Sequence, residues 1–334
     1  MTEPPRPGDG HPDPGLSALI RERGRLTNLA YRLLGSHSDA EDVVQETYAR
    51  WYAMAPRDQA AIESPGAWLT RVASRICLDL LGSARVRRES YVGEWIPEPL
   101  PGGTDWINGR AGDTNDPPDP ADRVTLDESI NMAFLVVLES MTPAERVAFI
   151  LHDVFRYPFD EVADIVGRTP AACRRLAVTA RRHLRESGAS GTVTARRAGL
   201  VRDFKRAWES KDVQALIGLL DPGATSIADG GGLATVVYDA VEGADLIAHT
   251  FAEVATRIPA LKVLECTVNG QPGLMAQQDG VTVTVLAFDF AGDRITRIWA
   301  VRNPEKLQPW TAPGHPSGEA SHPSGGEGQG RGAP

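Results

Sequence analysis

The stretch YPFDEVADIVGRTPAACRRLAVTARRHLRE, residues 157–186, carries Arg168, Arg174, Arg175, Arg181, Arg182 and Arg185, although the whole chain has a formal charge of −9. Guanidinium groups are planar, permanently charged donors that grip guanine edges or phosphates in bidentate fashion. Cations gathered this way in an acidic chain point to a polyanionic target. From this stretch alone, the other reading is a solvated arginine face on an ordinary helical hairpin.

The elements that must position these arginines favour DNA. Gly167 ends one apolar-periodic run, and Thr169-Pro170 opens the next, with Pro170 suited to a first helical turn. Two short helices joined by a tight glycine-containing turn form the signature of a helix-turn-helix. Ile165 and Val166, facing Leu176, are expected to close its small core. The second helix of such a motif enters the major groove, and its first residues meet base edges. Here those are Thr169, Ala171, Ala172, Arg174 and Arg175. The alanines let backbone approach bases and thymine methyls. Arg181, Arg182 and Arg185 lie further along, where phosphates add a salt-dependent attraction.

Upstream, residues 16–92 read as all helix. Leu19, Leu26, Leu29, Ala30 and Leu33 recur at helical spacing until Gly35. In SDAEDVVQETYARWY, Ser38 is expected to cap a helix, with Glu41 completing a capping box. Ser64-Pro65 opens a third helix along Leu69, Val72, Ala73, Ile76 and Leu80. Residues 93–122 then read as a Pro/Gly/Asp-rich linker, expected to stay extended without a core. From Glu94 to Glu128 there are nine acids against Arg110 and Arg123, a net of −7. Residues 123–187 are helical again, with Thr142 as a cap and Pro143 leading a helix.

Two motif blocks, residues 35–89 and 157–185, closely resemble domains two and four of extracytoplasmic-function (ECF) sigma factors, in the family's order and separated by a loose linker. The resemblance implies a dissociable subunit of bacterial RNA polymerase that selects promoters and helps melt them. It implies that Asp39, Asp42, Gln45 and Glu46 dock on the clamp helices of the largest polymerase subunit. The polymerase flap region is implied as a further contact. Trp68, Arg71 and Arg75 match the segment at the −10 element. Trp68 reads equally as a base-stacking platform or a core residue. Arg85, Arg87 and Arg88 form a basic cluster for backbone. Thr169, Ala171, Ala172, Arg174, Arg175, Arg181 and Arg182 become the −35 readers. The acidic linker is implied to thread polymerase channels that otherwise hold nucleic acid.

Standard members of that family end near residue 187, whereas this chain continues. Residues 195–308 change pattern: helices are followed by alternating, β-branched stretches between glycine turns, an α+β arrangement. In VTVTVLAFDF, Val281, Val283, Val285 and Ala287 fall on one face. The order resembles a SnoaL-like cone, a curved sheet wrapped by helices around a pocket. WIPEP (Trp95, Pro97, Glu98, Pro99), DGGG (Asp229, Gly230, Gly231, Gly232) and NPEKL (Asn303, Pro304, Lys306) resemble motifs of ECF sigma factors with such a fused domain, the J-type group. Leu233 stands where that group usually has lysine. In the group the fused domain regulates in cis, so these motifs are expected to be regulatory contacts. Fourteen acids against ten bases between Gly199 and Leu307 suit packing on arginine-bearing partners rather than DNA.

The fold class expected is therefore multidomain: two all-α sigma domains, the second a helix-turn-helix, plus an α+β cone. Residues 1–15 and 309–334 are Pro/Gly-rich and expected to be a disordered leader and tail. Cys77, Cys173 and Cys266 lie far apart, without metal-ligand spacing, which fits a reducing cytoplasm and neither metal nor cofactor. No apolar run approaches a bilayer span. Core RNA polymerase and promoter DNA, duplex and melted, are the expected partners; a pocket in the cone admits a small-molecule ligand. Asp229, His249 and Asp239 are the acid–base candidates if the cone catalyses anything, and the expectation is that it does not. Two other classes stand beside the sigma reading: a polymerase-independent helix-turn-helix regulator, and a SnoaL-type enzyme or sensor with a DNA-binding region.

Overall fold

The computed structural model describes residues 14–89, 91–102, 104, 130–187, 195–236 and 239–311, with the side chains of residues 14–21 and 84–89 outside that description. Most of the acidic linker, the far tail and the side chains of Arg85, Arg87 and Arg88 therefore lie outside the described residues. The first unit comprises α1 (Pro14–Leu34), α2 (His37–Ala53), α3 (Pro56–Ala60) and α4 (Pro65–Glu89). Helix α1 begins inside the expected leader. The N-cap of α2 is Ser36, not Ser38; its hydroxyl accepts from Asp39 N–H at 3.2 Å. Gly35 ends α1 with φ +69, so the chain reverses one residue ahead of the cap.

The second unit holds α5 (Met132–Glu139), α6 (Pro143–Phe149) continued by a π-helical turn (Ile150–Val154), α7 (Phe159–Val166) and α8 (Pro170–Ser187). Asn131 caps α5 by accepting from Phe134 N–H at 2.7 Å. Thr142 and Glu145 form a reciprocal capping box at α6. Gly167 turns α7 into α8 in the left-handed conformation (φ 70). Cys173, Ala177 and Ala180, rather than Leu176, are the fully enclosed residues of α8; Leu176 and Val166 are only half-buried. Small side chains let α8 lie close to α6. The two helical units share one apolar core, which joins Leu26, Leu69 and Cys77 to Leu151, Val162 and Cys173.

The third unit runs α9 (Ala195–Ser210), α10 (Val213–Leu219), β1 (Leu220–Asp229), β2 (Val241–Glu242), α11 (Ala244–Arg257), β3 (Lys262–Val268), β4 (Gln271–Gln278), β5 (Val281–Ala291) and β6 (Arg294–Val301). The six strands form one sheet in the order β2-β1-β6-β5-β4-β3, antiparallel except for the parallel β1–β6 pair. Asn269-Gly270 and Asp279-Gly280 place paired positive φ values at two hairpin turns, as tight two-residue turns require.

Strand β5 does not follow the simple alternation expected of it. Val281 is exposed, while residues 285–290 are buried on both faces. Leu286, Phe288 and Phe290 face α9, α10 and α11, in a core with Phe204, Trp208 and Phe251. Val285 and Ala287 face a second core with Ile96, Met132, Leu307 and Trp310. The sheet thus has helices on one face and, on the other, α5, residues 95–101 and the 3-10 turn Gln308–Trp310. A two-sided sheet reads as a continuous apolar run rather than an alternation.

Two sequence expectations are corrected by that second core. Residues 96–101, placed in an extended linker, are buried, because apolar Ile96 and Leu100 fill the seam between the helical units and the sheet. Trp310, placed in the tail, is 3% exposed and caps the same seam.

Candidate functional site

Along α2, the buried residues Ala40, Val43, Val44, Thr47 and Trp51 take the inner face. That periodicity turns Glu41, Asp42, Gln45 and Glu46 outward to solvent, with Asp39 half-exposed at the first turn. Within this face Glu46 pairs with Arg50, one helical turn on, at 2.8 Å, and Glu41 lies 4.0 Å from the His37 ring. The result is an exposed acidic strip along the N-terminal two-thirds of α2.

The basic face of α4 is exposed but already engaged. Trp68 is half-buried and packs edge-on against Trp51, with centroids 5.3 Å apart. Arg71 Nη2 lies 3.3 Å from Asp164 Oδ2, and Arg75 Nη2 donates to the Asp164 carbonyl at 2.9 Å. Asp164 belongs to α7, the first helix of the helix-turn-helix. Arg25 on α1 also donates to the Tyr157 hydroxyl, at 3.0 Å. Groups expected to meet the −10 DNA therefore contact the second helical unit.

On α8, Thr169 Oγ1 accepts from Ala172 N–H at 3.2 Å, so the residue expected at a base edge also caps its helix. Ala171, Arg174, Arg175, Arg182 and Arg185 are exposed on one side of α8. Arg174 lies over the Phe159 ring at 5.4 Å, and Arg182 approaches Glu186 at 3.9 Å. Arg181 differs: its Nε is 2.6 Å from Asp153 Oδ1, so it fastens α8 to the π-helical turn.

The three motifs WIPEP, DGGG and NPEKL meet at one buried junction. Asp229, the last residue of β1, is fully buried. Its Oδ1 accepts from the Tyr91 hydroxyl (2.6 Å) and from Gly231 N–H (3.0 Å). Its Oδ2 accepts from Ile96 N–H (3.0 Å) and pairs with Lys306 Nζ at 2.6 Å. Lys306 also donates to the Ile96 carbonyl at 2.5 Å and stands over the rings of Trp95 (4.2 Å) and Tyr91 (5.1 Å). Burial, then the Asp229 carboxylate, pushes the Tyr91 phenol up. Asn303 Nδ2 donates to the same phenol oxygen at 2.9 Å. Gly231 (φ +60) has no room for a side chain: a Cβ there would lie 2.3 Å from Asn303 Nδ2. Leu233, where the resembling group has lysine, is 62% exposed and outside the junction.

From that junction the strap of residues 95–101 crosses to the first helical unit. Glu98 N–H donates to the Gly35 carbonyl (2.8 Å), and the Tyr31 hydroxyl donates to the Glu98 carbonyl (2.6 Å). Glu98 Oε2 accepts from His37 N–H at 2.6 Å, which places a carboxylate at the positive end of α2. Burial raises the Glu98 pKa, and the hydrogen bonds from the His37 and Ser38 backbone oppose that rise. Asn269 ties everything together. Its side chain donates to the Tyr31 hydroxyl (2.8 Å) and the Ile130 carbonyl (2.9 Å) and accepts from Leu100 N–H (2.9 Å). Trp310 Nε1 donates to the Pro99 carbonyl at 2.8 Å. Pro304 is exposed at the edge of the turn that presents Asn303 and Lys306.

The sequence did not single out Tyr31, Tyr91, Asn269 or Trp310. The Asn-Gly pair at residues 269–270 reads as a plain hairpin turn, and nothing local signals that its side chain closes a three-way contact. Arg302 was also missed; it lines a cavity of about 150 Å³ on the opposite face of the sheet. The acid–base candidates lie elsewhere. Asp229 points into the junction, His249 is exposed on α11 with Nδ1 2.8 Å from the Asp245 carbonyl, and Asp239 is exposed. None of the three lines the cavity. No group of metal-ligating side chains converges among the described residues, and no described helix is long and apolar enough to cross a membrane.

Comparisons with known proteins agree with this layout. Residues 19–87 match the Sigma-70 region 2 family, and residues 131–184 match Sigma-70, region 4. The chain is 35% identical over 301 residues to a probable ECF RNA polymerase sigma factor, SigI, of Mycobacterium tuberculosis, covering 90% of this chain and 97% of that protein. It is 35% identical over 297 residues to the ECF RNA polymerase sigma factor SigJ of the same organism, covering 85% and 90%. The crystal structure of M. tuberculosis SigJ superimposes with a TM-score of 0.67 at 31% identity, over 88% of this chain and 98% of that one. Two helical units carrying both sigma regions, followed by a fused helix-and-sheet unit along nearly the whole length of these relatives, make the chain a member of the ECF RNA polymerase sigma factors.

Proposed function

We propose that this sigma factor, which binds core RNA polymerase and directs promoter-specific initiation, is held inactive in cis in the compact form described above. The single observation that carries the reading is the double contact of Arg71 and Arg75 with Asp164. It turns the −10 face of one DNA-binding unit onto the first helix of the other. An extended promoter complex needs both faces on DNA at once, so the contact must open. The acidic strip of α2 stays exposed, so polymerase engages first through Asp42, Gln45 and Glu46, on its clamp helices. Arg174, Arg175 and Arg182 then meet the −35 duplex, and Arg71 and Arg75 the −10 region. The C-terminal unit favours the compact form by holding the strap of residues 95–101 between the helical units and the sheet. Such a switch needs two arrangements and a partner that binds one of them better.

The test is a cross-link between Arg75→Cys and Asp164→Cys in the full chain, made with a thiol-reactive linker. The linked protein is expected to bind core polymerase and to yield no run-off transcript from a cognate promoter, with transcription returning to the level of the unlinked double variant on cleaving the linker. Equal transcription with and without the linker would overturn the reading.

A further inference from the structure

The cavity noted above lies between α9, α11 and the β1–β6–β5 face of the sheet, on the side away from the junction. Trp208, Phe251, Val254, Leu261 and Leu286 make its wall apolar, and Arg302 stands among them. Its 150 Å³ equals the volume known to hold a single benzene ring in an apolar cavity. Trp208 Nε1 is already committed to the Phe251 carbonyl at 2.9 Å, so the aromatic wall offers contact area rather than a donor.

Arg302 is the anomaly. Its Nη1 donates to the Thr235 carbonyl, whereas its Nε is enclosed and has no acceptor among the described residues. Burial lowers its pKa. A cation left unpaired beside apolar surface is costly unless an anion joins it. With Nη1 taken and Nε enclosed, Nη2 is left to donate to a carboxylate in a charge-assisted hydrogen bond. We infer that the cavity binds a small aromatic monocarboxylate, its ring among Trp208, Phe251 and Leu286 and its carboxylate on Arg302.

Strand parity connects this site to the junction. Ala228 and Ala300 are paired and line the cavity; Asp229 and Val301, the next pair, face the opposite side. Arg302 N–H and Asn303 N–H both donate to the Asp229 carbonyl, at 2.7 and 2.9 Å. The Thr235 carbonyl that holds Arg302 belongs to the loop that leaves Asp229. A carboxylate on Arg302 therefore acts one residue away from the Asn303–Tyr91–Asp229 contacts and steadies them. The binding stands on the cavity alone; its regulatory consequence rests on the switch proposed above.

Calorimetric titration of the full chain with benzoate, benzyl alcohol and acetate tests the binding. Benzoate is expected to bind roughly tenfold or more tightly than either of the others, since a hydrogen bond to a charged group contributes that much. In Arg302→Met, and in Arg302→Gln should the first variant fold poorly, the preference for benzoate over benzyl alcohol is expected to vanish. Equal binding of benzoate and benzyl alcohol, absence of benzoate binding, or an unchanged preference in a folded Arg302 variant would each overturn the site. Benzoate is also expected to slow amide exchange at residues 229–236 and 95–100. Unchanged exchange under saturating benzoate would overturn the coupling while the cross-linking result still judged the switch.

Discussion

The junction around Asp229 and the contact between α4 and α7 both hold units of this chain together with arginine or lysine against carboxylate, yet they are built on opposite physical terms. At the junction the ion pair is buried, and Asp229 has four donors satisfying its two oxygens. At the α4–α7 contact the side chains of Arg71 and Asp164 are 45% and 63% exposed. Removing one partner of a buried pair costs about 3–5 kcal/mol, because a charge is left without compensation. An exposed pair contributes about 0.2–1 kcal/mol and weakens further in salt. The difference assigns roles. On the switch proposed above, the junction is the fastening that survives opening, and the α4–α7 contact is the latch that polymerase and promoter release at small cost.

The strongest attack on the fastening is Asp229→Ala, which strands Lys306 beneath two aromatic rings. A loss of about 3–5 kcal/mol is expected in chemical denaturation, and a loss no larger than that of a surface substitution would erase the distinction drawn here. Next is Trp310→Phe, which keeps a ring in the seam and removes the bond to the Pro99 carbonyl, with an expected loss of about 1–3 kcal/mol for the unsatisfied group. Ending the chain after Leu307 should destabilise more than this and raise promoter activity, whereas ending it after Thr311 should do little; run-off transcription compares the two.

At the latch, Asp164→Asn should change stability by less than about 1 kcal/mol. It should nonetheless increase the open fraction, read as faster exchange on the facing surfaces of α4 and α7, and the effect should fade as salt rises. The smallest effect concerns Glu98. Its folded pKa is raised, chiefly by burial. Its contribution to stability is therefore complete below the ordinary glutamate range and lost as pH rises through the folded value. Glu98→Gln keeps an acceptor for His37 N–H and should flatten the stability profile over that interval. A profile as steep as that of the unmodified protein would place the pH dependence elsewhere.

Both helical units were legible in the sequence because helix signals are local. Gly167, Thr142-Pro143 and the 3.6-residue apolar period act within a few residues of where they stand. The acidic strip of α2 was legible for the same reason, since which residues turn outward follows from which turn inward. The cap of α2 was missed by two residues, because Gly35 ends α1 so tightly that Ser36 already begins the next helix. The strap was misjudged because proline and glycine make WIPEPLPGG look like a spacer. Proline equally suits a segment whose few N–H groups find partners on other units, as Ile96, Glu98 and Leu100 do.

The order of units, the helix-turn-helix, the charge of each surface and the α+β character of the last unit were set by residue pattern alone, since each depends on neighbours in the chain. Only the tertiary structure decided that Asp229 faces away from the cavity, that Arg71 and Arg75 rest on α7, and that Asn269 joins three units. Those outcomes depend on which face of a two-sided sheet meets which helix, and on contacts between residues 89 to 238 positions apart. No local propensity encodes such a choice; it is made by the burial of Ile96, Leu100 and Trp310 in one seam.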